Sequence, residues 1–327
     1  MLRQLPKVAP DPRLLIGAAT ADDAGVYRLD RDRALVQTVD FFTPIVDDPF
    51  TYGQIAAANS LSDVYAMGGR PLTALNLVGV PTEHVGPSVI AAILRGGLNK
   101  AQEAKCTIVG GHTIRNPEPI YGMAVTGLVS PRRIIANSQA RPGDLLILTK
   151  PLGTGIVTTG IKRGITSPAL ARRAVAVMRH LNSVGAELAE KGLVRAGTDV
   201  TGFGLLGHLA SLCQASEVSA TLSIQSLPII SPQVLDLIEQ DCIPGGTRQN
   251  LKTADSLTDW GEATDAERFV LTDAQTSGGL LLCVAPKNLN SVRRILQRYR
   301  SPCAAVIGQI VRGPSLRLRI LKERASA

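Results

Sequence analysis

Residues Ala34–Val39 (Ala-Leu-Val-Gln-Thr-Val) read as a strand that ends at Asp40, ahead of the turn signals Pro44 and Asp47-Asp48-Pro49. The stretch Ile55–Gly69 reads differently. Small residues and good helix formers, closed by Gly68-Gly69, predict a helix. At about 100° per residue, Ala57, Leu61, Val64 and Gly68 share one face, and Asn59 and Asp63 lie nearly opposite. Leu72–Val80 is an apolar run between two prolines, hence a buried strand, and Ser88–Ala104 has helical spacing. Thr107–Val109 predicts a short strand running into a glycine turn at Gly110-Gly111-His112-Thr113, and Tyr121–Val129 a further strand. This β-α-β-α-β-β order predicts an α+β sheet, ferredoxin-like, with helices on one face.

The polar, turn-rich stretch Pro131–Gly143 predicts a boundary, dividing the chain into residues 1–140 and 141–327. Beyond it, strands are expected at Leu145–Thr149, Ala220–Ile224, Gly279–Val284, Ala304–Val311 and Leu316–Leu321. Helices are expected at Ala169–Glu190, Gly204–Ala215 and Asn288–Tyr299, with a long loop from Ile243 to Ala266.

Composition narrows the class. Of 327 residues, 45% are hydrophobic and 19% charged, as in a folded protein. Apolar runs stay well short of the ~20 residues of a membrane span, and the first residues lack a signal-peptide core, so a cytoplasmic location is expected. The five cysteines are scattered without Cys-x-x-Cys spacing, and buried free thiols are expected at Cys106, Cys213 and Cys283. A net charge of +8 suits a polyanionic ligand, but with 3% aromatics and no Lys/Arg run, nucleic acid is not expected.

Candidate chemistry rests on carboxylates. Asp22, Asp23, Asp40, Asp63 and Asp199 stand at element ends or beside glycine. Hard divalent cations bridge such groups to substrate phosphates, although any single Asp taken alone reads better as a cap or turn residue. Gly110-Gly111-His112-Thr113 could offer backbone and side-chain donors to a phosphate, or be an ordinary turn. Gly202-Phe-Gly204-Leu-Leu-Gly207 matches G-x-G-x-x-G, but no apolar strand precedes it and no acid ends the next strand. It reads as a helix start with Asp199 or Thr201 near its N-terminus and His208 one turn in. Thr272–Gly279 could cap a site or merely turn the chain, and there is no P-loop.

Taken together, these strings resemble the selenophosphate synthetases of the aminoimidazole ribonucleotide synthetase superfamily. The matching stretches are Asp22-Asp23-Ala24, Thr38–Asp47, Asn59–Gly69, Gly110–Thr113, Thr198–His208, Pro244-Gly-Gly-Thr247 and Gln275–Gly279, in the family's order. The resemblance implies the reaction of ATP, selenide and water to selenophosphate, AMP and phosphate. It also implies an N-terminal domain that dimerises through its sheet, a C-terminal α/β sandwich, and ATP with magnesium near their junction. Asp23, Asp63 and Asp199 would carry magnesium. Thr20, Ala21, Asp22, Asp40, Asp63, Gly111, His112 and Thr113 would line the ATP site, with Asn59 orienting it.

Two departures matter. The family carries, before the position matching Leu2, a glycine-rich segment with a catalytic Cys or selenocysteine and then a Lys; neither is in this sequence. Leu2–Pro10 reads as a passage from helix to loop with no cap before it, which favours truncation and predicts weak Mg-ATP binding with little selenophosphate made. Ala21 stands where the family commonly has Arg. The rival readings are a thiamine-monophosphate kinase or amidine synthetase of the same superfamily, and a non-catalytic nucleotide-binding homologue.

Overall fold

Strand β1 (Leu14–Ile16) and strand β2 (Gly25–Arg28) lead into β3 (Ala34–Phe42), which is followed by α1 (Pro49–Ala66), β4 (Arg70–Val80), α2 (Pro87–Glu103), β5 (Thr107–Arg115) and β6 (Ile120–Val129). In this computed structural model, residues 11–81, 83, 85–313 and 317–323 are described; Leu2–Pro10 and the expected strand start at Leu316 lie outside them. The strands form a six-stranded sheet in the order β1-β2-β3-β6-β4-β5. Nine residue pairs zip β3 to β6, from Ala34↔Val129 to Phe42↔Tyr121. Ala34, Val36, Ala74, Met123 and Val125 turn one face of this sheet into a core with α1 and α2, as the sequence pattern expects.

Helix α1 begins six residues earlier than expected. Asp48 caps it by accepting from the Thr51 N–H (2.8 Å), and Pro49 occupies the first turn, where proline lacks nothing the helix needs. It ends as the glycine pair requires. Gly68 takes φ +77°, its N–H donates to Tyr65 O (2.9 Å), and the Gly69 N–H reaches back to Val64 O (2.8 Å). The expected turn at Gly110–Thr113 is absent. β5 runs on to Arg115 parallel to β4, with a bulge opposite Ala74 and Leu75 that takes up Val109. Here glycine serves close strand approach: a Cβ on Gly111 would sit 2.4 Å from Asn76 O.

The second half contains β7 (Leu145–Leu148), α3 (Thr154–Lys162), α4 (Pro168–Met178), α5 (Val184–Glu190), β8 (Ala196–Asp199), α6 (Gly204–Ala215), β9 (Ser219–Ser223), α7 (Gln233–Glu239), α8 (Gly245–Asp255), β10 (Thr258–Asp259), α9 (Asp265–Thr272), β11 (Leu280–Val284), α10 (Leu289–Arg298), β12 (Ala305–Val311) and β13 (Leu318–Leu321). Its seven-stranded sheet runs β10-β13-β9-β12-β7-β11-β8. Leu146, Leu148, Leu281 and Cys283 face one apolar cluster, and Leu145, Ile147, Leu280 and Leu282 face another with α5 and α10. Buried on both faces, these strands read as continuous apolar runs. The two-domain α+β and α/β layout agrees with expectation.

Three elements differ from the sequence reading. The helix expected over Ala169–Glu190 is two helices, parted at Arg179–Ser183, where the Asn182 side chain turns inward to hydrogen-bond Ser62 and Gly278. The expected loop Ile243–Ala266 holds α8 and β10, and α9 opens with a capping box between Thr264 and Glu267. The polar, fully buried β8 (Ala-Gly-Thr-Asp) carries no apolar signature at all. Helix α1 joins both halves: its middle lies in the first core, Ile55 belongs to the main core of the second half, and Ala66 to that beneath α5 and α10.

Candidate active site

The polar side of α1 faces the ends of β3 and β8. Asp40, two residues before the end of β3, accepts from the Asn59 amide, and its backbone carbonyl accepts from the Ser60 hydroxyl (2.9 Å). Asp63, one turn on, accepts from Thr38 Oγ1 (2.5 Å). Asn59 therefore meets Asp40 with its donor end and, with its carbonyl, receives the Ser277 N–H (3.0 Å) from the turn before β11. From β8, Asp199 accepts from Ser62 Oγ (2.5 Å), while Thr198 Oγ1 donates to Asp23 (2.7 Å). Asn182 completes the join by donating to Ser62 Oγ (2.8 Å) and Gly278 O (2.9 Å).

The four carboxylates act on one another electrostatically: Asp23 on Asp63, Asp40 on Asp63 and Asp199, and Asp199 on Asp23 and Asp63. Burial, then Asp199, pushes Asp23 well above the usual carboxylate range. Burial, then Asp199 and Asp23, does the same to Asp63. Burial raises Asp199 to about 6 against the opposing pull of the Ser62 hydroxyl and Lys150. Asp40 is raised by burial and held down in part by its own hydrogen bonds. Lys150, just after β7 and 1% exposed, donates to Ser277 O (2.7 Å); burial lowers it to about 7, with Asp199 resisting. The sequence reading quoted Thr38, Ser62, Thr198 and Ser277 only within longer strings, gave them no role of their own, and passed over Lys150 and Asn182.

This donor set fits a hard cation. Asp23 Oδ2 is buried with no hydrogen-bond partner, and the carboxylates oppose one another's ionisation, the condition a divalent ion relieves. Among the described residues, no three His, Cys, Asp or Glu side chains are grouped closely enough to hold a metal by themselves. Magnesium commonly needs only one or two carboxylates, with substrate phosphates and waters supplying the rest.

The other expected residues divide. Asp22 accepts from its neighbour Thr20 and from the Asn137 N–H (2.6 Å), while the Asn137 amide reaches Ala21 O (2.9 Å). Burial raises the Asp22 carboxyl, with those bonds opposing. Ala21 takes φ 49°, a left-handed position. Gly111, His112 and Thr113 are not brought to the carboxylates. They are exposed on edge strand β5, three strands and ~14 Å from β3.

A second polar centre underlies the cleft. Asp273, fully buried, accepts from the Gly155 N–H (3.0 Å) at the start of α3, from Thr247 Oγ1 (3.0 Å) and from Gln275 Nε2 (2.8 Å). Gln275 Oε1 accepts in turn from Thr154 Oγ1 (2.9 Å). The Pro244–Thr247 and Gln275–Gly279 strings thus brace α3 against the Ser277 turn. The G-x-G-x-x-G string opens α6, where His208 Nε2 accepts from the Thr201 N–H (3.0 Å).

The family descriptions "AIR synthase related protein, N-terminal domain" and "AIR synthase related protein, C-terminal domain" match residues 21–129 and 141–321. A selenide, water dikinase of Myxococcus xanthus is 49% identical over 310 residues, covering 94% of this chain and 87% of the relative. The chain belongs to the selenide, water dikinase family. A member from Carboxydothermus hydrogenoformans is 47% identical, covering 95% of this chain and 89% of its own length. Among solved structures, a thiamine-monophosphate kinase from Stenotrophomonas maltophilia K279a superposes with a TM-score of 0.70 over 96% of this chain and 93% of its own. At 21% identity that likeness shows the shared fold alone.

Proposed function

We propose that this chain makes selenophosphate, converting ATP, selenide and water to selenophosphate, AMP and phosphate, as its dikinase relatives are named for. The observation that carries the reading is the convergence of Asp23, Asp40, Asp63 and Asp199, each raised by burial, with Asp23 Oδ2 left unsatisfied. Asp23, Asp63 and Asp199 would hold magnesium, which neutralises phosphate charge and draws electron density from the transferring phosphoryl groups. Thr198, Thr38 and Ser62 fix the orientation of those carboxylates through their hydroxyls. Asn59 holds Asp40 on one side and the Ser277 turn on the other, keeping the two halves in register across the cleft.

Residues 1–140 are read as the ATP- and magnesium-binding and dimerisation unit, and 141–327 as the C-terminal α/β unit. Thr20, Ala21, Asp22, Asp40, Asn59 and Asp63 would receive the nucleotide. Gly111, His112 and Thr113 would join them only through a ligand reaching across the sheet or through a second copy of the chain. Homodimerisation is supported by Val39, Phe41, Leu75, Val109 and Ile114, which are 44–59% exposed on strands of this sheet. No helix among the described residues is long and apolar enough to cross a membrane, and a cytoplasmic site of action is proposed.

The test is product analysis. With Mg-ATP and selenide any turnover should release AMP and phosphate rather than ADP, and Asp63→Asn should abolish magnesium-dependent ATP binding while leaving the circular dichroism unchanged. ADP release with thiamine monophosphate as acceptor, or unchanged ATP affinity in Asp63→Asn, overturns the reading.

A further inference from the structure

On another surface lies a cavity of about 370 Å³, lined by β1, the end of β2, the connection between the two halves and the segment joining α5 to β8. Arg28, Arg132, Arg133 and Arg195 all line it, and no acidic residue does. Some arginines elsewhere on the surface are paired, such as Arg33 with Asp30, Arg70 with Glu190 and Arg298 with Glu187. Among the described residues, none of the four cavity arginines makes an ion pair or a side-chain hydrogen bond. Asp144 feels Arg195 electrostatically, but its carboxylate is engaged by the Arg141 N–H (2.9 Å).

The Arg133 guanidinium lies over Gly192, which ends α5 with φ +64° and whose missing side chain leaves room for it, a Cβ there falling 2.0 Å from the guanidinium. Four like charges around one concavity repel one another, and an anion relieves that repulsion. Planar guanidinium forks match phosphate oxygens two at a time. A cavity of this volume suits a small molecule rather than a nucleic-acid strand.

We propose that this pocket is a second anion site that binds a small polyphosphate, separate from the carboxylate site. Its walls lead straight to that site. Arg132 and Arg133 precede Asn137, which holds Asp22 and Ala21, and Arg195 immediately precedes β8 with Thr198 and Asp199. A bound anion therefore grips the two segments that position Asp22, Asp23 and Asp199, and whatever factor one site's ligand applies to the other is applied equally in return.

Inorganic pyrophosphate is the probe, titrated calorimetrically into the full chain in resin-treated, metal-free buffer, where the carboxylate site repels anions. One pyrophosphate should bind per chain, more weakly as salt is added. The Arg28→Ala/Arg195→Ala double variant should lose at least tenfold in affinity, Arg132→Ala should lose severalfold, and Asp63→Asn should bind like wild type. These outcomes do not depend on the dikinase reading, because no turnover is measured. Absence of pyrophosphate binding, equal affinity in wild type and both arginine variants, loss of binding in Asp63→Asn, or binding of RNA without pyrophosphate overturns the proposal.

Discussion

Gly53 on α1 and Gly96 on α2 set how closely those helices cross. A Cβ on Gly53 would lie 2.0 Å from Ile93 O, and one on Gly96 would lie 2.0 Å from Phe50 O. Both obstacles are backbone, so Gly53→Ala cannot be accommodated by a rotamer change. Restoring ordinary contact of ~3.4 Å moves the helices apart by ~1.4 Å. Overpacking of that kind costs ~1–3 kcal/mol. Scaling the usual entropy of unfolding to this length gives ~0.7 kcal/mol per kelvin, so ~2–3 kcal/mol should lower Tm by ~3–4 °C. The larger effect should fall on turnover, because α1 also carries Asn59 and Asp63. A displacement near 1 Å at a positioned group can cost ~100-fold in rate. The assay is differential scanning calorimetry alongside selenide-dependent AMP release. Gly53→Ala should lose activity far out of proportion to its modest Tm change. Wild-type Tm and wild-type turnover together would refute the argument, since the helices would then have room to spare.

Ser62→Ala removes the hydroxyl that donates to Asp199 and accepts from Asn182, and should cost ~2 kcal/mol in urea denaturation; a change under a few tenths would show the network to be dispensable. His208 is held neutral by burial down to about 4, against 6.5 for the free side chain. The unfolded chain takes up this proton first as pH falls, so His208 should withdraw ~3 kcal/mol of stability between pH 6.5 and 4. His208→Gln should flatten that part of the stability–pH curve, and an unchanged slope would place the acid sensitivity elsewhere. Phe41→Glu, on the exposed face of the first sheet, should shift the chain to monomer in sedimentation velocity without lowering helix content; a wild-type profile would remove this face from the interface.

Asp23, Asp40, Asp63 and Asp199 were legible in the sequence because each sits in a recognisable string, yet their mutual proximity was not. Ser62 and Asp199 are 137 residues apart, and Asn182 and Ser62 are 120 apart. Hydrophobic period says nothing about such contacts. Lys150 hid for a related reason: a lysine after an apolar strand reads as a solvated end, whereas here the Ser277 carbonyl and Asp199 hold it inside. β8 escaped because its pairing with β11 does for Ala-Gly-Thr-Asp what apolar side chains do elsewhere. At Gly110–Thr113 the glycine signal was real, but glycine serves close strand approach as readily as a turn, and only the partner strand decides between them.

Helix α1 is fixed to the second half at Ile55 and again at Ala66, where the neighbouring Tyr65 carbonyl lies so near Gly185 that a Cβ there would be 2.2 Å away. At 1.5 Å rise per residue these attachments are ~16 Å apart along the axis. A rod pinned at two such points has one rotational freedom left, about the line joining them. Any opening of the two halves is therefore confined to rotation about the axis of α1, the element that carries Asn59 and Asp63.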